Sequence, residues 1–293
     1  MQPYLEAIWE RRILTNGGPF HQELEQRLCE HLGVRYISLF SNATIALLVA
    51  LRALDIKGEV ITTPFSFVAT AHSILWNGLT PVFADIDPNT LNLSPAAVER
   101  AISSATEAVL GVHVYGTPCD TDSYAQFQSS FGLKIVYDAA HAFGVQRNGR
   151  SVLLEGDLSV LSFHATKTYN TFEGGAIVCH DENTKRKIDQ LKNFGFEDET
   201  TILATGINGK MNELLASVGL LQLKHVDAAI ESRKALDEFY REELSDVKGI
   251  SFLYPPSGVK QNYSYFPILI DDDYGSSRDE LYQRLKEIGR AHV

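Results

Sequence analysis

The chain has 293 residues, 44% of them hydrophobic, and a formal charge of −11 from 37 acidic and 26 basic side chains. That length and apolar content suffice for a large core in one or two domains, while the acidic balance argues against a nucleic-acid partner, which needs a basic face. The cysteines, Cys29, Cys119 and Cys179, are far apart and form no CxxC pair, which argues for a reduced, cytoplasmic protein without a disulfide framework or metal site; no apolar run approaches the ~18 residues of a membrane span.

In chain order, "YLEAIWERR" and "HQELEQRLCEHLG" read as helices joined by the turn "LTNGGP". "YISLF" is an apolar strand, followed by "SNA" and the helix "TIALLVALRAL". "GEVITTP" is a second strand, "SFVATAHSILWNG" a helix closed by Gly78, and "TPVFADID" a third strand. "SPAAVERAI" opens with a serine cap. "AVLGVHVYG", the partly helical "DTDSYAQFQSSFG" and "LKIVYDAAHAFG" continue the alternation, and "LSVLSFHAT" and "GGAIVCHD" add two strand-like runs. Continuous apolar strands alternating with helices predict an α/β fold with a mainly parallel sheet covered on both faces. Ligands of such sheets sit at the C-terminal strand ends, where the polar motifs fall here. After Asp181 the spacing predicts a charged helix, then one long helix kinked near Gly219, then a small α+β domain. The expected division is 1–225 and 226–293, the second part incomplete. Both ends are abrupt, as in a piece of a longer protein.

"SFHATKTYNTFEGGAIV" sets Lys167 between two apolar runs. A lysine in such a place either snorkels to solvent or, once neutral, bonds covalently to a carbonyl. Asp138 closes the apolar run "LKIVY"; it caps a following helix or pairs with a buried cation such as a protonated pyridine nitrogen. His141 is a satisfied core histidine or a neighbour of the same ring. "SNAT", with Ala43 and Thr44, is an ordinary helix cap or an anion cradle at a helix N-terminus, to which Ser162 adds a hydroxyl. Phe67, one turn into its helix, is core packing or a ring-stacking aromatic. Glu173-Gly174-Gly175 gives a tight turn. An amine, a carboxylate, a phosphate cradle and an aromatic, each at a strand end, match the needs of one cofactor, pyridoxal phosphate (PLP).

The same stretches resemble the DegT-type PLP-dependent nucleotide-sugar aminotransferases, of the aspartate-aminotransferase (type I PLP-transferase) fold. The resemblance rests on "FSNATIALLVAL", "ITTPFSFVATAHSILWNGLTPVFADID", "VYDAAHAFG", "SFHATKTYNTFEGGAIV" and "GINGKMNELLASVGLLQL". It implies a homodimer with shared active sites, a nucleotide-sugar substrate and L-glutamate as donor. It implies that Lys167 holds PLP and carries the proton, that Asp138 pairs with the pyridine nitrogen, and that His141 lies beside the ring hydroxyl. Phe67 would stack on the ring, Ala43, Thr44 and Ser162 would bind the phosphate, and Asn208 would reach the neighbouring subunit's phosphate. "LTNGGP" would also approach the active site. Within the family the motifs look most like those of enzymes that install a 4-amino group on a dTDP-linked 4-keto-6-deoxy sugar. The alternatives are 3-amination, a PLP-dependent sugar dehydratase, whose subgroup has histidine in place of Lys167, and an inactive binding homologue. Two residues depart from the family pattern: Ala43 and Phe172 stand where glycine is usual. Ala43 is therefore expected to weaken PLP binding if its site needs a positive φ or close backbone approach, and Phe172 to reshape its loop. The tail "RAHV" replaces an expected closing segment.

Overall fold

The computed structural model describes residues 1–289, and the closing "RAHV" lies outside the described residues. Helices α1 (Gln2–Arg11) and α2 (Pro19–Leu32) come first. Strands and helices then alternate: β1 (Tyr36–Phe40), α3 (Ala43–Ala53), β2 (Glu59–Thr62), α4 (Val68–Trp76), β3 (Thr80–Phe83), α5 (Pro95–Ala101), β4 (Thr106–Val112), α6 (Thr121–Phe131) and β5 (Lys134–Asp138). A short hairpin, β6 (Gln146–Arg147) and β7 (Arg150–Ser151), precedes β8 (Leu158–Ser162), β9 (Gly175–Cys179) and α7 (Glu182–Leu191). The chain continues through α8 (Glu213–Leu223), α9 (Val226–Glu243), β10 (Ile250–Phe252), β11 (Val259–Lys260), β12 (Ile268–Ile270) and α10 (Arg278–Ile288).

The central sheet has the order β1-β9-β8-β5-β4-β2-β3. Only β9 runs against its neighbours, so the C-terminal ends of the other six strands share one edge. Leu110, Val136, Val160 and Ile177 are fully buried at its centre. Each such side chain contributes about 1.5–3 kcal/mol by leaving water. The strands read as unbroken apolar runs because helices cover both faces. Helix α3 forms from strong helix formers, and the Asn42 side chain accepts the Ile45 N–H at 2.9 Å. Its buried Leu47, Ala50 and Leu51 pack on the sheet. Among the described residues no helix is long and apolar enough to cross a membrane.

Four local expectations are corrected. The long helix breaks at Lys224–His225, between α8 and α9, and not at Gly219. Gly219 is needed for packing: a Cβ there would lie 2.6 Å from Leu24 and 2.7 Å from the Tyr169 hydroxyl. The segment after Asp120 is helical throughout, because the Asp120 side chain caps it by accepting from Ser123 N–H. Ser94 stands at the start of α5 but its hydroxyl caps nothing. Phe67 precedes α4 as its N-cap residue, with φ −67° and ψ 147°, and does not lie one turn inside it.

Candidate active site

The shared strand edge opens into a cavity of about 640 Å³. Ala43 and Thr44 from the start of α3, Phe67, Asp138, His141, Ser162 and Lys167 all line it. Residues far apart in the chain, from Ala43 to Lys167, therefore meet in one space. Asn208 does not line it; it is exposed and bridged to Asn193. The turn "LTNGGP" also stays away from this cavity. It packs on α8, where the Glu213 carboxylate accepts the Phe20 and His21 N–H groups at 2.9 Å each and so caps α2.

Asp138 ends β5 and is 6% exposed. No helix follows it, so it caps none; Ala140 N–H donates to Oδ1 at 3.2 Å in a local turn. The Thr70 hydroxyl donates to Oδ2 at 2.8 Å. Burial pushes the carboxyl above its ordinary range, against the opposing pull of these two bonds and of the Lys167 charge. Among the described residues no cation forms a salt bridge with Asp138. A buried carboxylate held by two neutral donors and facing a cavity suits a cationic ring nitrogen.

His141 is fixed as a neutral donor. Its Nδ1 accepts the Tyr115 N–H at 3.2 Å, so the proton sits on Nε2. Burial, helped by the Lys167 charge, lowers its pKa to about 3. Tyr115 stacks on the imidazole at 6.0 Å and 4°. It holds this place with a left-handed φ of 53°, followed by Gly116 at 85°. Gly116 must be glycine: a Cβ there would lie 3.0 Å from the His141 carbonyl oxygen and 3.1 Å from Asn262 Oδ1.

The N-terminus of α3 opens onto the same cavity. Asn42 caps Ile45, while Ala43 and Thr44 face the cavity beside Ser162, whose hydroxyl accepts His164 N–H at 3.4 Å. Unpaired N–H groups of a first helical turn and the helix dipole favour a phosphate. Ala43 has a negative φ in this helix, so replacing the family's glycine introduces no backbone strain. The close approach falls instead on Gly175, whose Cβ would lie 2.7 Å from Ala43 N.

Lys167 lies in the connection between β8 and β9, not on a strand. Its N–H donates to the His164 carbonyl at 2.9 Å, and Nζ donates to the Tyr265 hydroxyl at 3.3 Å. The same connection holds Phe172 at φ 67° with 58% exposure. A bulky residue in that region is strained by about 1–3 kcal/mol, more than glycine's extra entropy of about 0.5–1 kcal/mol. Phe172→Gly should therefore stabilise the protein by up to about 1 kcal/mol, seen as a higher urea midpoint; a lower midpoint would show that Phe172 makes compensating contacts.

These groups fit PLP: a covalent amine, a carboxylate for the ring nitrogen, a neutral donor, a phosphate cradle and an aromatic rim. Sequence reasoning missed Thr70, Tyr115 and Tyr265. Thr70 follows Phe67 at helical spacing, which was a usable signal; Tyr265 is 98 residues from Lys167 and had no local one.

The profile of the DegT/DnrJ/EryC1/StrS aminotransferase family matches residues 1–291. The chain is 58% identical over 284 residues to a dTDP-4-amino-4,6-dideoxy-D-glucose transaminase of Shigella dysenteriae, covering 97% of this chain and 77% of that one. A transaminase of the same name from Escherichia coli is 53% identical, with coverage of 97% and 77%. The crystal structure of DesI with its TDP-sugar product superposes with a TM-score of 0.93 at 39% identity, covering 97% of this chain and 73% of that chain.

Proposed function

This chain belongs to the DegT/DnrJ/EryC1/StrS aminotransferase family and is a PLP-dependent nucleotide-sugar aminotransferase; from that premise we propose that it moves an amino group from L-glutamate to dTDP-4-keto-6-deoxyglucose, giving the 4-amino sugar. The observation that carries the reading is the one cavity in which the Lys167 amine, the buried Asp138 carboxylate and the α3 N-terminus converge. The 58% and 53% identities to two transaminases of that name support the sugar and the carbon.

PLP, when bound, supplies an electron sink next to the amine being transferred. The chain's own residues do the rest. Asp138, once ionised, would pair with the ring nitrogen and favour its protonated form. His141 offers Nε2–H as a fixed donor with no charge of its own. Ala43, Thr44 and Ser162 would hold the phosphate. Lys167 would anchor the cofactor; once displaced, its neutral amine would carry the proton from the donor's α-carbon to the cofactor in the first half of the cycle and from the cofactor to C4 of the sugar in the second. Positioned proton transfer of this kind contributes about 10²–10⁴-fold.

The protein is expected to produce dTDP-4-amino-4,6-dideoxyglucose and 2-oxoglutarate in equal amounts from PLP, L-glutamate and a panel of nucleotide keto sugars, with the products identified by mass and NMR. Amination at C3, or no transfer from glutamate, overturns the assignment. The three free cysteines support a reducing, cytoplasmic setting.

The active unit is a homodimer in this reading. Phe67 and Trp76 are 77% and 80% exposed, and Val68, Leu75, Ile202 and Leu203 are exposed as well. These exposed apolar side chains would be covered if they met a second copy of the chain. Asn208, exposed and outside its own cavity, would then bind the partner's phosphate. Lys167→Ala and Asn208→Ala chains should each be weak alone. Mixed after unfolding and refolding, they should recover about a quarter of the parent activity, since half the dimers are mixed and each contains one complete site. No recovery on mixing would place Asn208 outside the partner's site.

A further inference from the structure

We propose that Tyr265 is a positioning residue for the Lys167 amine, delivered to the site by the segment around Asn262. The proposal rests on the reading of Lys167 as the cofactor-binding lysine. It also brings the region after residue 225 into the reaction centre, to which Lys167 and the other predicted site residues contribute only earlier positions.

The Tyr265 hydroxyl accepts from Lys167 Nζ at 3.3 Å, and the amine lies 5.6 Å from the centre of the same ring. The ring tilts against His141 at 4.7 Å and against Tyr115 at 5.7 Å. Tyr265 therefore touches the amine and the neutral donor at once, from the cavity wall. Its backbone is held firmly. Asn262, 1% exposed, donates through Nδ2 to the His141 and Phe143 carbonyls at 2.9 Å each. Its Oδ1 accepts the Ser264 N–H at 3.1 Å, and Arg233 donates to the Ser264 carbonyl at 3.3 Å. Tyr263, at φ 52°, turns the chain between these anchors. So buried amide bonds to the backbone beside His141 set the phenol's position.

A lysine on a connecting loop has four side-chain torsions and loses much of its reach to disorder. A fixed acceptor restricts the amine to the cavity, where it must be found each time it is released from the cofactor. Tyr265→Phe keeps the ring and removes only the acceptor. Two readouts test the idea. In the PLP-free protein, Lys167 should react with an amine-labelling sulfonate about fivefold faster in Tyr265→Phe, the weight of one ordinary hydrogen bond, as followed by peptide mass. In the loaded enzyme kcat should fall about tenfold while KM for the keto sugar moves less than about threefold. Asn262→Ala should reproduce the loss in kcat, and Tyr265→Leu, without the ring, should exceed it. Labelling and kcat of Tyr265→Phe both within twofold of the parent would overturn the proposal. If Lys167→Ala itself stays active, the underlying reading has failed instead.

Discussion

Lys167→Ala should lose at least about 10⁴-fold in kcat, since it removes both the covalent anchor and the proton carrier. The purified variant should also lack the visible absorbance that PLP gives when joined to the lysine, and glutamate should bleach that absorbance in the parent. Stability should change little. The side chain is half-buried and makes one hydrogen bond, to Tyr265. A variant that kept both colour and turnover would remove Lys167 from the chemistry.

Asp138→Asn separates catalysis from stability. Burial raises this carboxyl above its value in the unfolded chain. An acid with a raised folded pKa opposes folding at neutral pH, where both states are ionised, and that opposition fades as pH falls through the folded pKa. Asparagine removes the buried charge and keeps the shape. Its carbonyl can accept from Ala140 N–H, and its amide can donate to the Thr70 hydroxyl, which is free to donate to Ser66 at 2.6 Å. The PLP-free variant should therefore melt at or slightly above the parent at neutral pH, with the difference shrinking in mild acid. Its kcat should fall about 10²–10³-fold, because nothing negative then faces the ring nitrogen. Thermal melts at two pH values and single-turnover kinetics decide it. A large loss of stability with normal turnover would contradict the assigned role.

The two variants bear on residues that sequence could find, and the reason is local. Asp138 and Lys167 stand beside apolar strands that must be buried, so each is conspicuous for its neighbours alone. β1 is read residue for residue because "YISLF" is apolar on both sides and flanked by polar turns. Thr70 sits inside an ordinary helix, marked only by its spacing from Phe67, although it supplies the shorter bond to Asp138. Tyr115 was hidden because its importance lies in a left-handed backbone that presents an N–H to His141, which no side-chain pattern reveals. Tyr265 depends on Asn262 reaching across to residues 141 and 143, a tertiary contact with no sequence period. The kink placed at Gly219 failed for a related reason. Glycine there answers to Leu24 and Tyr169, which approach from elsewhere in the chain.

Borohydride reduction of the PLP-loaded protein, followed by peptide mass mapping, reads the bond on which all the assigned roles depend. The pyridoxyl mass should appear on the peptide carrying Lys167 and vanish when the enzyme is first exhausted with L-glutamate. The same mass on a peptide with another lysine, or on none, would contradict the assignment of this amine.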